Sequence, residues 1–421
     1  MTTRALWTSV VTLLAASLAA PAGAGGLAGA GGRPALARGA GYSVLYAFNG
    51  GPGDGYYPDG GVYVDKGGRI FGTTTYGGNV SGNSGEGEGT VFELSAVGSQ
   101  YAEAFLYSLS CTVVGCYPVA PPLEDRNGNV FVVNGSAQIN ENGNGTVMEF
   151  SPSGSTYEVN KLLVMVQPIG VTPNGALLAV GSTFYLSTVS GGTSSNGTLV
   201  SLSHGLKPTL LYTFGVPSVT GQSPQSNLAI DSSGALYGVT ENGGNLNDGT
   251  VFKFVPSPSG GTESVLWNFQ SGGGTQPMSG LVLDAAGNIY GTTRNNGRYN
   301  GGVVFKLSPV SGGYMETVLH AFSNGADGNQ PSGPLIAKGN DLYGLTSTGG
   351  SGNCSNGCGT LYRIGTNGSH YAVVHTFQGL DGAYPYGPLF SRDGALYGTT
   401  TRGPSYGNGQ SGYGLVFKFV P

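Results

Sequence analysis

A five-residue phrase recurs along the chain and limits what it can fold into. It stands as Leu396-Tyr397-Gly398-Thr399-Thr400 and Ile289-Tyr290-Gly291-Thr292-Thr293. Looser forms are Ile70-Phe71-Gly72-Thr73-Thr74, Leu236-Tyr237-Gly238-Val239-Thr240 and Leu342-Tyr343-Gly344-Leu345-Thr346. Two worn copies, Val130-Phe131-Val132-Val133 and Phe184-Tyr185-Leu186-Ser187-Thr188, complete the series. The aromatic residue falls at 71, 131, 185, 237, 290, 343 and 397, an interval of 60 followed by intervals of 52 to 54. A fixed period in this range marks a repeat architecture in which each copy is one supersecondary unit.

One period reads as four short strands. Pro277-Met278-Ser279-Gly280 leads into Leu281-Val282-Leu283, and Ala285-Ala286-Gly287-Asn288 supplies a turn. Ile289 to Thr293 is β-branched and aromatic, as strands prefer. A Gly/Asn-rich loop over 294–301 precedes Gly302-Val303-Val304-Phe305-Lys306-Leu307, and after a turn the fourth strand is Thr317 to Phe322. Four antiparallel strands per period make one propeller blade. The first strand is announced by Pro with Leu or Val four residues on, as in Pro58/Val62, Pro173/Leu177 and Pro385/Leu389, while Pro118 to Leu123 is one residue longer. Seven copies predict an all-β, seven-bladed propeller over residues 42–421. The repeats begin on a fourth strand, Val44 to Phe48, and finish on a third, Leu415 to Phe419. Pairing these two closes the ring and removes two open sheet edges.

The combination of Leu-Tyr-Gly-Thr-Thr, a Gly-Gly loop, Gly-Thr-Val-Phe-Lys-Leu, Leu-Tyr-x-Phe and Asp-Gly-x-x-Pro resembles the GloVer tandem repeat of bacterial secreted proteins. The resemblance covers essentially residues 42–421, strongest from 210 onward and weakest between 118 and 202. It implies a secreted repeat protein and brings no activity with it.

Glycine at 79 residues and proline at 23 approach the level of disordered chains, but 39% hydrophobic residues and glycines at repeating positions support a packed core. Charged residues are only 9%, net charge is −5 and no basic cluster occurs. Nucleic acid is therefore excluded as a partner, since phosphate needs Lys/Arg patches. Met1 to Arg4, the apolar run Ala5 to Ala20 and Ala22-Gly23-Ala24 predict an export signal over 1–24, followed by a Gly/Ala-rich linker over 25–41. The run is short of the roughly 20 apolar residues of a membrane span, and no later stretch qualifies. A secreted, periplasmic or extracellular mature protein is expected. Four cysteines, Cys111, Cys116, Cys354 and Cys358, suit that compartment. They allow three pairings; the local one is favoured because each pair shares a loop.

Function is expected on the loops that vary between copies, namely the Asp-Gly-x-x-Pro loops and the Gly-rich loops after each Tyr-Gly-Thr-Thr. Candidate binding residues are Asp54, Tyr56, Tyr57, Asp327, Asp381, Tyr384 and Tyr386 on the first set, and Tyr76, Glu86, Glu88, Tyr299 and Tyr406 on the second. Tyrosines with a few carboxylates suit sugar rings, by stacking and hydrogen bonding. Against this, Asp-Gly is common turn chemistry. His320 and His375 occupy a slot held elsewhere by Tyr46, Tyr107, Tyr212 and Trp267, which indicates packing. No catalytic motif, metal-ligand spacing or cofactor signature stands out. The leading expectation is an extracellular binding or interaction module for polysaccharide or another extracellular protein. The alternatives are a polysaccharide-degrading enzyme with carboxylates on the loop face, and a structural envelope protein.

Overall fold

The structure, a computed structural model, describes residues 41–50, 53–78, 87–98, 100–137, 144–154, 156–203, 205–225, 227–257, 260–404 and 412–421. The expected export signal and all but the last residue of the linker lie outside the described residues, as do Glu86 and Tyr406. Seven antiparallel sheets of four strand positions, each packed on the next, form a ring: a seven-bladed β-propeller. In blade 5, for example, Val282–Leu283, Ile289–Thr293, Val303–Val310 and Gly313–Ala321 pair in chain order from the axis outward. Blade 7 takes its outer strand from the N-terminal side. Tyr42–Ala47 pairs with Leu415–Phe419, with Tyr42 opposite Phe419 and Ala47 opposite Leu415. The closing strand is bulged between Val44 and Tyr46, opposite Phe417 and Val416. The fourth strand of blade 5 does the same between Val318 and His320, opposite Phe305 and Val304. The closing strand thus reproduces the geometry of an internal one.

The recurring phrase is explained by packing. Its glycine lies opposite the aromatic residue of the third strand: Gly72 opposite Phe92, Gly238 opposite Phe252, Gly291 opposite Phe305, Gly344 opposite Tyr362 and Gly398 opposite Phe417. A Cβ on any of these glycines would lie 2.2–2.6 Å from the ring, so the buried ring occupies the missing side chain's space. The worn copies obey the same rule in reverse. Where Val132 and Leu186 replace glycine, the opposing residues are Met148 and Val200 rather than rings. The phrase's last threonine hydrogen-bonds the third strand's opening threonine in four blades, as in Thr74–Thr90 at 2.7 Å and Thr346–Thr360 at 2.8 Å. Its aromatic is buried in six of the seven copies, and Tyr237 and Tyr290 spend their hydroxyls on Asp231 and Asp284 in the preceding turn.

The innermost strand departs from the simple pattern. Pro118 faces Asn134 and Leu123 faces Phe131, so five steps on one strand match three on its neighbour. Pro173 and Leu178 against Thr188 and Tyr185, and Pro331 and Ile336 against Thr346 and Tyr343, show the same two-residue excess. The longer spacing expected for blade 2 therefore does not exist. Pro122 fills the slot that Leu177 fills in blade 3, and the register is unchanged. The repeated bulge re-aims the residues just after each proline, and these line the channel.

Both disulfides are local, Cys111–Cys116 and Cys354–Cys358. Among the described residues no helix is long and apolar enough to cross a membrane.

The glycine–ring match predicts a measurable coupling. Gly291→Leu alone should destabilise the protein by about 1–3 kcal/mol through overpacking. Adding Phe305→Val, which copies the Leu186/Val200 pair, should recover at least half of that loss in denaturant unfolding. Additive losses in the double variant would refute the match.

Candidate binding site at the channel mouth

Each blade is joined to the next at the mouth by the same device. The residue before the proline has positive φ in all seven copies: Tyr57 58°, Tyr117 53°, Thr172 54°, Ser223 55°, Gln276 55°, Gln330 53° and Tyr384 54°. Such a conformation costs a non-glycine residue roughly 1–2 kcal/mol, so surrounding contacts must hold it. In five joints its N–H donates to a carbonyl of the preceding blade, as with Tyr57 to Tyr413 at 3.0 Å and Tyr384 to Cys358 at 2.9 Å. The proline then packs on the glycine that opens the preceding blade's third strand. A Cβ there would lie 2.4–2.8 Å from the proline Cδ in six joints, Gly414 against Pro58 and Gly197 against Pro224 among them.

Immediately past each joint one side chain turns to the axis. These seven residues, Asp59, Val119, Asn174, Gln225, Met278, Ser332 and Tyr386, line one cavity of about 300 Å³ with Thr75, Tyr117 and Arg294. The seven differ in every blade, unlike the prolines before them. Several are already engaged: Asn174 Nδ2 donates to Gln225 Oε1 at 2.9 Å, Gln225 donates to Glu241, and Ser332 Oγ donates to the Pro385 carbonyl at 2.7 Å. Asp59 is different. Its Oδ2 accepts from the Thr75 hydroxyl at 3.3 Å, while its buried Oδ1 has no partner among the described residues. Burial pushes its carboxyl up from 3.8 to about 6, against the lowering effect of the Thr401 and Thr75 hydroxyls and the nearby Arg402.

Beside the cavity lies a group of five tyrosines. Gly55–Tyr56 and Tyr76–Gly77 form a small ribbon with Tyr56 opposite Tyr76, their rings stacked at 5.3 Å. Tyr57 and Tyr413 meet Tyr56 edge-on at 5.1 and 5.5 Å, and Tyr117 meets Tyr76 at 5.8 Å. The Arg402 guanidinium lies 4.7 Å above the Tyr57 ring. Tyr117, 37% exposed, belongs to both the group and the cavity wall.

Of the sequence candidates, Tyr56, Tyr57 and Tyr76 come together here, and Tyr386 lines the cavity at 45% exposure. Asp54 accepts the N–H groups of Asn49 and Gly55, both at 2.8 Å. Asp327 accepts from Ser323 N–H at 2.9 Å and lies 3.1 Å from His320 Nε2. Asp381 accepts from Gln378 N–H at 2.6 Å and lies 3.1 Å from His375 Nε2. All three carboxylates thus fasten their own loops. Glu88 accepts from Cys111 N–H at 2.6 Å and pins the first disulfide loop. Tyr384 forms the joint into blade 7, and Tyr299 stands exposed on blade 5 beneath Arg298. Sequence reasoning missed Asp59, Tyr117, Tyr413, Arg294 and Arg402. The variable residue after each recurring proline is a signal that could have found Asp59; Tyr117 stands just before such a proline, and the other three follow none.

The molecule is a seven-bladed propeller whose loop face gathers side chains from every blade into one cavity. The chain belongs to the Gloeobacter/Verrucomicrobia repeat family, whose model matches residues 80–283 and 256–421. No curated protein matches the sequence. Among solved structures it is similar to the extracellular domain of BT4673 from B. thetaiotaomicron, at 11% identity and TM-score 0.54 over 89% of this chain and 42% of that one. It is similar to the extracellular domain of BT3049 from the same organism, at 12% identity and TM-score 0.53 over 91% and 41%. A protein from Lactobacillus plantarum aligns at 12% identity and TM-score 0.50 over 84% of this chain and 96% of that one. The chain spans about two fifths of the two extracellular domains, and the likeness is one of fold.

Asp59 carries a pH signature. A carboxyl whose pKa rises on folding binds its proton more tightly in the native state, so its contribution falls as pH climbs from about 4 to about 6. Asp59→Asn should therefore gain stability relative to the parent across that window, by at most about 3 kcal/mol. Glu263 and Glu316, each pushed up to about 7 by burial, titrate in both proteins and cancel in the comparison. Parallel stability–pH curves would place Asp59 in water instead.

Proposed function

We propose that the chain is exported, loses residues 1–24, and serves outside the cytoplasm as a polysaccharide-binding module. The observation that carries this reading is the tyrosine group running into the cavity. Tyrosine rings bring large apolar faces with a polar edge at low entropic cost, which suits the faces and hydroxyls of sugars. Two disulfides and the extracellular origin of the B. thetaiotaomicron domains support an oxidising, external setting. Glycoside cleavage commonly needs two carboxyl groups flanking the bond. Asp59 is the one carboxylate among the described residues lining the cavity, which favours binding over hydrolysis.

A glycan array probed with the purified protein tests the proposal. Binding to at least one plant or bacterial polysaccharide is expected. Tyr117→Ala and Tyr76→Ala should each weaken it about tenfold or more, a loss of about 1.4 kcal/mol. Tyr299→Ala, on blade 5, should leave it unchanged. Absence of binding across the array would refute the glycan reading in favour of a structural or protein-binding role.

A further inference from the structure

The cavity differs from the tyrosine group in shape and chemistry, and the difference bears on how a glycan would be held. At about 300 Å³ it lies at the lower end of ligand pockets, which run roughly 300–1,000 Å³. That is room for one sugar unit rather than a stretch of chain. In five blades its lining runs to the third residue after the proline, as at Gly280, Pro334 and Pro388, and in the other two it ends sooner. Around those positions the first strands of neighbouring blades touch. A Cβ on Gly61 would lie 2.9 Å from Pro388 Cδ, and one on Gly387 would lie 2.7 Å from Gly61 N. The wall therefore has no gap between blades 7 and 1 through which a chain could continue.

Inside the cup most polar groups are already satisfied by one another. Two charged groups stand apart and face the cavity from opposite sides of the ring, blades 1 and 5. Asp59 Oδ1 is an acceptor without a donor, and the guanidinium of Arg294 meets only the Met278 sulfur, at 3.8 Å, among the described residues. A buried acceptor left without a donor costs about 1–3 kcal/mol, which a ligand hydroxyl would relieve. Val119, Met278 and the rings of Tyr117 and Tyr386 supply the apolar remainder. Tyr117 then leads outward onto Tyr76, Tyr56 and Tyr57.

We infer that this protein recognises the end of a glycan chain: one terminal sugar enters the cup, with hydroxyl groups on Asp59 and Arg294, and the following sugars lie across the tyrosines. This rests on the polysaccharide reading above and adds the direction of binding to it.

The two can be separated by experiment. Soluble xylan, mannan, β-glucan and pectin would each be compared intact and after shortening by acid, as competitors at equal mass. End recognition predicts that competition per unit mass rises in proportion to the number of chain ends. Recognition along the chain predicts no rise. In parallel, Met278→Trp fills the cup from a position outside the tyrosine group, and Asp59→Ala removes the cup's free acceptor. Each should lower binding at least tenfold while near-UV circular dichroism and thermal unfolding confirm the fold. If binding persists in both folded variants and ignores chain ends, the cup plays no part and this inference falls, while the polysaccharide reading stands. If an unfolded variant is obtained, the chain-end dependence of the parent protein decides alone. If none of the four glycans and no glycan of the array binds, both fall together.

Discussion

The structure depends on the joint between blades. A proline packs on a glycine of the preceding blade, and the residue before that proline is held at positive φ. In five of the joints its N–H is spent on that blade's carbonyl. Neither half is favourable alone. The left-handed conformation is strained for Tyr, Gln, Ser and Thr, and the glycine gives up conformational entropy on folding. Together they let two sheets approach closely enough to bury the core between them. The cost recurs around the ring and is offset by apolar clusters that span neighbouring blades, such as the one joining Tyr237 and Val239 to Ile289, Phe305 and Leu307.

Outer strands add a second set of contacts with a consistent logic. The tyrosine two residues before the fourth strand's final phenylalanine slot, or its substitute there, faces a residue from the outer part of the next blade. Tyr46 donates to Glu103 at 2.7 Å and Tyr212 to Glu263 at 3.1 Å. Where the first residue is His320 or His375, the partner is a tyrosine stacked face to face at 3.7 Å, Tyr371 or Tyr42. Tyr371 and Tyr42 in turn donate to the carbonyls of Asp327 and Asp381. Two histidines that look exceptional in the sequence are therefore members of a packing series, and one of them, His375, clasps the strand that closes the ring.

Blade number, strand order and ring closure were legible in the sequence because each rests on a residue that must recur. Gly291 has to be small, Pro277 has to meet a glycine, and a strand left over at each end has to find a partner. The tyrosine-bearing loops were legible for the same reason: they follow fixed landmarks. The cavity was not. Asp59 and Met278 look like loop fillers until the two-residue bulge of the inner strand is seen to turn them to the axis, and that bulge leaves no periodic trace. Pro122 in the Leu177 slot even disguises the register as an insertion. Tyr413 and Arg402 were hidden differently, since they reach Tyr56 and Tyr57 only across the seam between the last repeat and the first.

That seam gives the asymmetry of the site a physical origin. A ring of near-identical blades offers equivalent positions, so a specific surface must come from what the repeat does not fix. Blades 7 and 1 contribute Tyr386, Arg402 and Tyr413 on one side and Tyr56, Tyr57, Asp59 and Tyr76 on the other. They are held together by Tyr42–Ala47, because that strand completes the sheet that carries Tyr413 to its place beside Leu415–Phe419. The joint repeats the bond once more, Tyr57 N–H to Tyr413 O, at the centre of the tyrosine group itself. Closing the ring and assembling the tyrosine group are thus one event, since Tyr413 and Arg402 reach Tyr56 and Tyr57 across the seam that Tyr42–Ala47 closes.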